Sequence, residues 1–232
     1  MTIVFDAEAD GLLYDAKRVW CITLGYMETG QVVHFGPEVV ETALEILRKC
    51  DHIVGQNCIG YDLALFKKLY PWFEYDLKRC DDTFIMSSLF EPDREGGHSV
   101  EQYAKEFGGE QKVQNENWSQ YTPLMKERNI SDVRIQMKIW EKLKKEKEAW
   151  DWSNALALEY RIAEIHAQQV LAGVQFDIDK AYELADEIAL KIQDIDAKLD
   201  RELPMRVIRG TEVKAPFKLD GTLSKRVEDW FS

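Results

Sequence analysis

Along the first ninety residues apolar positions come in short β-rich runs; beyond them they recur at helical spacing. Residues 3–8 (IVFDAE), 20–26 (WCITLGY), 31–35 (QVVHF) and 52–56 (HIVGQ) read as strands, since β-branched and aromatic side chains suit a pleated, half-buried surface. Glu28-Thr29-Gly30 is a tight-turn signal, so the second and third runs should form a hairpin. Val40, Leu44 and Leu47 share a helical face after Pro37, and Leu65, Phe66 and Leu69 share another that Pro71 ends. A fifth strand-like run, 83–89 (TFIMSSL), follows Asp81-Asp82. Strands interleaved with helices in this way predict an α/β layer sandwich: a mixed five-stranded sheet flanked by helices.

From Gly96-Gly97-His98-Ser99 onward the pattern is helical. Ser99 is expected to cap a helix, with Gln102 at capping-box spacing. Residues 126–150 predict a long amphipathic helix with Ile130, Val133, Met137, Trp140 and Leu143 on its stripe and KLKKEKE as its solvated end. Two more helices are expected over 155–172 and 180–203, with Trp150-Asp151-Trp152 at the seam before them. The expected organisation is a domain over 1–150, a helical connector over 151–203 and an irregular, more basic tail over 204–232.

Composition narrows the function. The 232 residues are 45% hydrophobic and 11% aromatic, enough to build a core and to exclude wholesale disorder. Thirty basic against 42 acidic residues give a net charge of -12, the reverse of the basic footprint of a protein that coats nucleic acid. Acidity is compatible with an enzyme whose carboxylates hold metal ions, because bound cations invert the local field. No apolar run approaches the roughly 18 residues of a membrane span, and MTIVFDAEAD has none of the features of a signal peptide. Cys21, Cys50, Cys58 and Cys80 form no CxxC pair and the four histidines no HExxH or HxxxH, which points to reduced thiols in a cytoplasmic protein without a zinc site.

The chemistry begins at Asp6-Ala7-Glu8. Residues two apart on a strand face one side, so both carboxylates can meet at one spot. They repel unless a proton or cation lies between them, and hard oxygen ligands suit Mg²⁺ or Mn²⁺. By itself the pair is also what a solvated strand end looks like. A third carboxylate, Asp62 in NCIGYD, falls in the first turn of a helix, where it also complements the helix dipole. A fourth, Asp132, lies beside Val133 at the edge of the apolar stripe, where a carboxylate needs a partner or a metal.

Taken in order, FDAEADGL, GQNCIGYDLALF, DTFIMSSLF, GGHSVEQYAKEFG and ERNISDVRIQMKIWEKL resemble the 3′–5′ exonuclease domain of family A DNA polymerases, the phage type above all, within the DEDD exonuclease superfamily of RNase H-like fold. The resemblance covers about 1–150 and continues through ALEYRIAEIHAQQVLAGVQFDIDKAYELADEI, which is similar to the connector of the phage enzymes; no palm, fingers or thumb motif follows. It implies a metal-dependent 3′–5′ exonuclease that releases 5′-monophosphates from DNA 3′ ends, proofreading for a separate or removed polymerase. Asp6, Glu8, Asp62 and Asp132 would then hold two divalent ions, Mg²⁺ or Mn²⁺, about 4 Å apart. Leu12 would wedge the terminal base, with Asn57 and Tyr61 near a single-stranded or frayed 3′ end. A core leucine and a packing tyrosine are equally good readings of Leu12 and Tyr61.

One position departs from the family. Where its tyrosine branch carries Tyr, four residues before the last Asp, stands Arg128, and where the histidine branch carries His stands Glu127. Arg128 and Asp132 are i, i+4 neighbours, so an ion pair is expected; alternatively Arg128 holds the substrate phosphate, a catalytic role. Tyr121 lies close upstream and is a candidate to reach the site, while Tyr182 repeats the Tyr–Asp spacing only in the connector. His98 is read as capping or packing, and His34, His52 and His166 as structural or surface residues. Two alternatives stay open: an RNA exonuclease of the same superfamily, and a catalytically impaired module that docks on a polymerase chain.

Overall fold

The structure, a computed structural model, describes residues 1–108, 118–203, 217–218 and 221–228. Five strands, β1 (Thr2–Ala9), β2 (Val19–Tyr26), β3 (Val32–Phe35), β4 (His52–Gly55) and β5 (Cys80–Asp82), form one sheet in the order β3-β2-β1-β4-β5. The β1–β2 and β2–β3 pairs are antiparallel and β1–β4 and β4–β5 parallel, so the sheet is mixed. Among the described residues six α-helices accompany it: α1 (Val40–Lys49), α2 (Asp62–Leu69), α3 (Thr83–Phe90), α4 (Val100–Glu106), α5 (Pro123–Lys147) and α6 (Ser153–Ala172).

The pleat of β1 sorts its side chains. Phe5 meets Phe66 of α2 at 5.8 Å between ring centroids, whereas Asp6, on the alternate face, meets α5. The long helix can approach because β2 offers Gly25 beneath it. A Cβ there would stand 2.6 Å from Met137 Sδ and 2.9 Å from Val133 Cγ1. Burial of Val133, Ile135, Ile139, Trp140 and Leu143 then fixes α5 to the sheet.

Two expectations are corrected. Residues 83–89 do not form a strand: they are α3, and the fifth strand is the acidic triplet Cys80–Asp82. A short apolar run fits a buried strand or a buried helix equally well, and capping decides. The Asp82 carboxylate accepts N–H bonds from Phe84 at 3.0 Å and Ile85 at 3.3 Å, turning the chain into a helix. The long helix also starts three residues earlier than expected, at Pro123, with Thr122 Oγ1 accepting from Met125 N at 3.1 Å, and ends at Lys147. Ser99 caps α4 as expected; Gln102, however, points its amide at the Glu95 carbonyl.

Met1–Val174 form one compact unit and Gln175–Ser232 another. α6 belongs to the first, where Leu156, Tyr160 and Ala167 are buried and Tyr160 donates a hydrogen bond to Asp81 at 2.9 Å. In the second, Asp177 caps α7 (Ile178–Glu202), which carries the i, i+4 ion pairs Glu187–Lys191 and Asp194–Lys198. Most of the expected 204–232 tail lies outside the described residues; its described part holds a Phe217–Leu223 bridge and the single turn α8 (Lys225–Glu228). No helix among the described residues is long and apolar enough to cross a membrane.

Candidate active site

β1 delivers Asp6 and Glu8 to the face that α5 covers, and α5 delivers Asp132. One oxygen from each of the three carboxylates lies within 4.8 Å of the others. Asp62, at the first position of α2, lines the same cavity of about 220 Å³, as do Asn57 and Tyr61. Asp132 is 3% exposed and Asp62 8%. Burial, with the charges of Asp6 and Glu8 added, pushes the Asp62 carboxyl well above its ordinary value. Burial and then the Asp6 charge push Glu8 up to about 8, against the opposing pull of Arg128. Burial and mutual repulsion therefore call for a positive charge among these carboxylates.

Arg128 supplies that charge. Its Nε donates to Glu8 Oε1 at 3.0 Å, and the expected pair with Asp132 exists but is longer, at 3.8 Å. The guanidinium carbon sits 5.0 Å from the Trp118 ring centroid, a cation–π arrangement. Glu127 is exposed. Tyr121 does not turn to the carboxylates; its hydroxyl bonds His34 Nε2 at 2.9 Å.

Beside the acidic cavity lies an apolar slot of about 450 Å³ formed by the 9–12 turn, Tyr61 and Trp118. Leu12 projects into it and is 77% exposed, which removes the core reading. The turn is held from behind: Lys68 Nζ donates to the carbonyls of Leu13, Tyr14 and Ala16, Asp10 accepts from Lys17 N and Arg18 N, and Tyr61 Oη donates to the Gly11 carbonyl at 2.5 Å. Asn57 sits at φ 54°, a conformation asparagine tolerates, and its N–H donates to Asp82. The same Asp82 carboxylate accepts from Ile59 N at 3.1 Å, so one buried acid fixes both the turn that presents Asn57, Tyr61 and Asp62 and the start of α3.

Three site neighbours escaped the sequence reading. Asn129 Nδ2 and Gln136 Nε2 each donate to one oxygen of Asp6 at 2.8 Å, and Trp118 walls the slot. Asn129, Asp132 and Gln136 follow i, i+3, i+7 spacing, a buried polar line along a helix whose other buried positions are mostly apolar. That was the available signal. Trp118 carried none. His98, read as packing, accepts or donates at Nδ1 with Ser87 Oγ at 2.7 Å. His52 pairs with Asp81 at 2.9 Å.

No family model matches the sequence. Several solved structures share the architecture. NrnC of Brucella melitensis superposes with a TM-score of 0.58 over 76% of this chain and 89% of its own, at 18% identity. RNase D of Escherichia coli, an exoribonuclease involved in structured RNA processing, gives 0.56 over 72% of this chain and 45% of its own, also at 18%. This chain has the fold of the DEDD 3′–5′ exonucleases. Within that exonuclease fold, NrnC has been seen with Mg²⁺ and with pGG. By sequence the chain is similar to the DNA-directed DNA polymerase of Escherichia phage T7, 23% identical over 256 residues. That match takes in 85% of this chain and 36% of the polymerase, so the chain spans about a third of its curated relative.

Proposed function

We propose that the chain is a divalent-cation-dependent 3′–5′ exonuclease that removes nucleotides from DNA 3′ ends. The convergence of Asp6, Glu8 and Asp132 within 4.8 Å, with Asp62 in the same cavity, carries this reading. An all-carboxylate donor set, largely buried and paired with a guanidinium, fits hard cations such as Mg²⁺ or Mn²⁺. Bound there, divalent ions polarise the scissile phosphate and lower the pKa of the attacking water. The chain's own side chains do the rest. Asn129 and Gln136 orient Asp6, and Leu12, Tyr61 and Trp118 offer apolar walls for the terminal base, which stacks on any aromatic face. Asn57 lies at the rim where the terminal sugar would enter. Arg128 sits where it can exchange its hold on Glu8 for a substrate phosphate.

DNA is favoured by the likeness to the phage T7 polymerase, with proofreading as the role. The likeness to RNase D supports RNA as the runner-up. A non-catalytic docking module is the second reading, favoured by the Arg128–Glu8 bond that already balances the cluster. One assay separates all three: 5′-labelled single-stranded DNA and RNA of equal sequence, with Mg²⁺ or Mn²⁺. Stepwise shortening of DNA, lost by at least about 100-fold in Asp6→Ala and Asp132→Asn, is expected. Equal rates on RNA would remove the DNA assignment, and no cation-dependent product at any enzyme concentration would leave the docking module.

A further inference from the structure

A row of polar residues crosses the sheet at the candidate site. Asp6 pairs with Thr23 across β1 and β2, and Thr23 with His34 across β2 and β3, so all three side chains stand on the face that α5 covers. Asn129 of α5 closes the row. Its Nδ2 donates to Asp6 Oδ2 at 2.8 Å, and the Thr23 hydroxyl donates a short bond to its Oδ1. Having given its only proton, Thr23 Oγ1 accepts from His34 Nδ1 at 2.8 Å. His34 therefore carries its proton on Nδ1 and accepts the Tyr121 hydroxyl on Nε2 at 2.9 Å. Every bond runs one way, from Tyr121 to His34, Thr23, Asn129 and finally Asp6, and a chain of aligned bonds polarises each member in turn.

Gln136 shows what this adds. It donates to the other oxygen of Asp6 at 2.8 Å, yet its own Oε1 is buried without a hydrogen-bond partner among the described residues. A half-turn of that amide is opposed at Asp6 alone, because no hydrogen bond among the described residues holds Oε1. The same half-turn at Asn129 would set oxygen against the Asp6 carboxylate and an N–H₂ against the Thr23 proton. Asn129 and Thr23 are also fully buried, so no water replaces a lost partner.

We propose that Thr23, His34 and Tyr121 are positioning residues that act through Asn129 to hold the Asp6 carboxylate in the orientation that takes a divalent cation. This rests on the reading of Asp6 as a metal ligand. Partners of metal ligands are worth a tenfold or larger change in affinity, and this row reaches Asp6 at one remove.

The test is calorimetric titration of the full chain with Mn²⁺, beside kcat and KM on single-stranded DNA. Thr23→Val keeps the side-chain shape and removes the hydroxyl; it should weaken Mn²⁺ binding about 5- to 10-fold and lower kcat, with KM for DNA nearly unchanged. His34→Leu should do the same, and His34→Asn, which keeps a donor near the Nδ1 position, should return affinity to within about twofold of wild type. A Thr23→Val protein that melts cooperatively and binds Mn²⁺ like wild type overturns the proposal. So does equal affinity in His34→Leu and His34→Asn, which decides the matter even if Thr23→Val does not fold. A wild-type chain that binds no Mn²⁺ defeats the ligand role of Asp6 itself and the row with it; that result differs from wild-type binding with unaffected variants, which removes the row alone.

Discussion

Arg128 and Glu8 show how a single side chain can set the resting state of a site. The guanidinium is mostly buried against Glu8 and Asp132 and stacked beside Trp118, so it acts as an internal cation among carboxylates that would otherwise repel. Replacing it by alanine should lower stability without added metal by about 1.5–3 kcal/mol, because Glu8 loses a charged donor. Millimolar Mg²⁺ should restore that loss, and Mn²⁺ should bind more tightly than in wild type; melting curves with and without metal check both. His34 gives a pH signature. Burial, with the Lys126 charge added, holds its imidazole down to about 4, so the native state binds fewer protons than the unfolded chain below an ordinary pKa of about 6.5. The histidine's contribution is thus intact above pH 6.5 and declines as pH falls from 6.5 to about 4. Denaturant titrations should show wild type losing stability over that window relative to His34→Leu, and parallel pH profiles for the two proteins would refute this.

Among the elements, α5 decides whether a site exists. It brings Arg128, Asn129, Asp132 and Gln136 over β1, and it can do so only because β2 lacks a side chain at Gly25. Gly25→Val would press on Val133, a stiff β-branched residue, as well as on the more yielding Met137. The expected cost is about 1–3 kcal/mol from overpacking, together with weaker Mn²⁺ binding, because the helix that carries Asp132 must shift. Loss of stability with full metal affinity would show that α5 adjusts locally and leaves the carboxylates in register. The α3 start has the same logic in reverse. Asp82 caps the helix and ties down the Asn57–Ile59 turn, so a fold element and the presentation of Asp62 share one carboxylate.

For the molecule as a whole, the charge of -12 meets a polyanionic substrate. The carboxylate cluster accounts for part of that charge, and divalent cations would neutralise it locally. Weak binding to DNA is expected of the chain by itself, with Kd above about 1 μM for a single strand at physiological salt and weaker still as salt rises. Fluorescence anisotropy across a salt series measures this, and nanomolar affinity at 0.15 M would contradict it.

Some of this was written in local order along the chain. The β-rich apolar runs 3–8, 20–26 and 31–35 and the Glu28-Thr29-Gly30 turn mark the β1–β2–β3 half of the sheet, because strand pairing there is between neighbours in sequence. Asp6, Glu8, Asp62 and Asp132 stand out in the sequence through the family resemblance of their motifs; that the first two and Asp132 come within 4.8 Å, with Asp62 lining the same cavity, is decided by the fold. The run 83–89 was misread because its helix depends on a cap whose carboxylate also bonds residues 57 and 59, a contact between segments that periodicity does not register. Leu12 was ambiguous until the lysine-held turn placed it at the surface. The row from Tyr121 to Asp6 lay beyond any reading of spacing, since it joins three strands and a helix from residues 6 to 129. Local propensity settles what each segment is. Which polar groups are buried together, and so which of them must satisfy one another, is settled only when the chain closes around them.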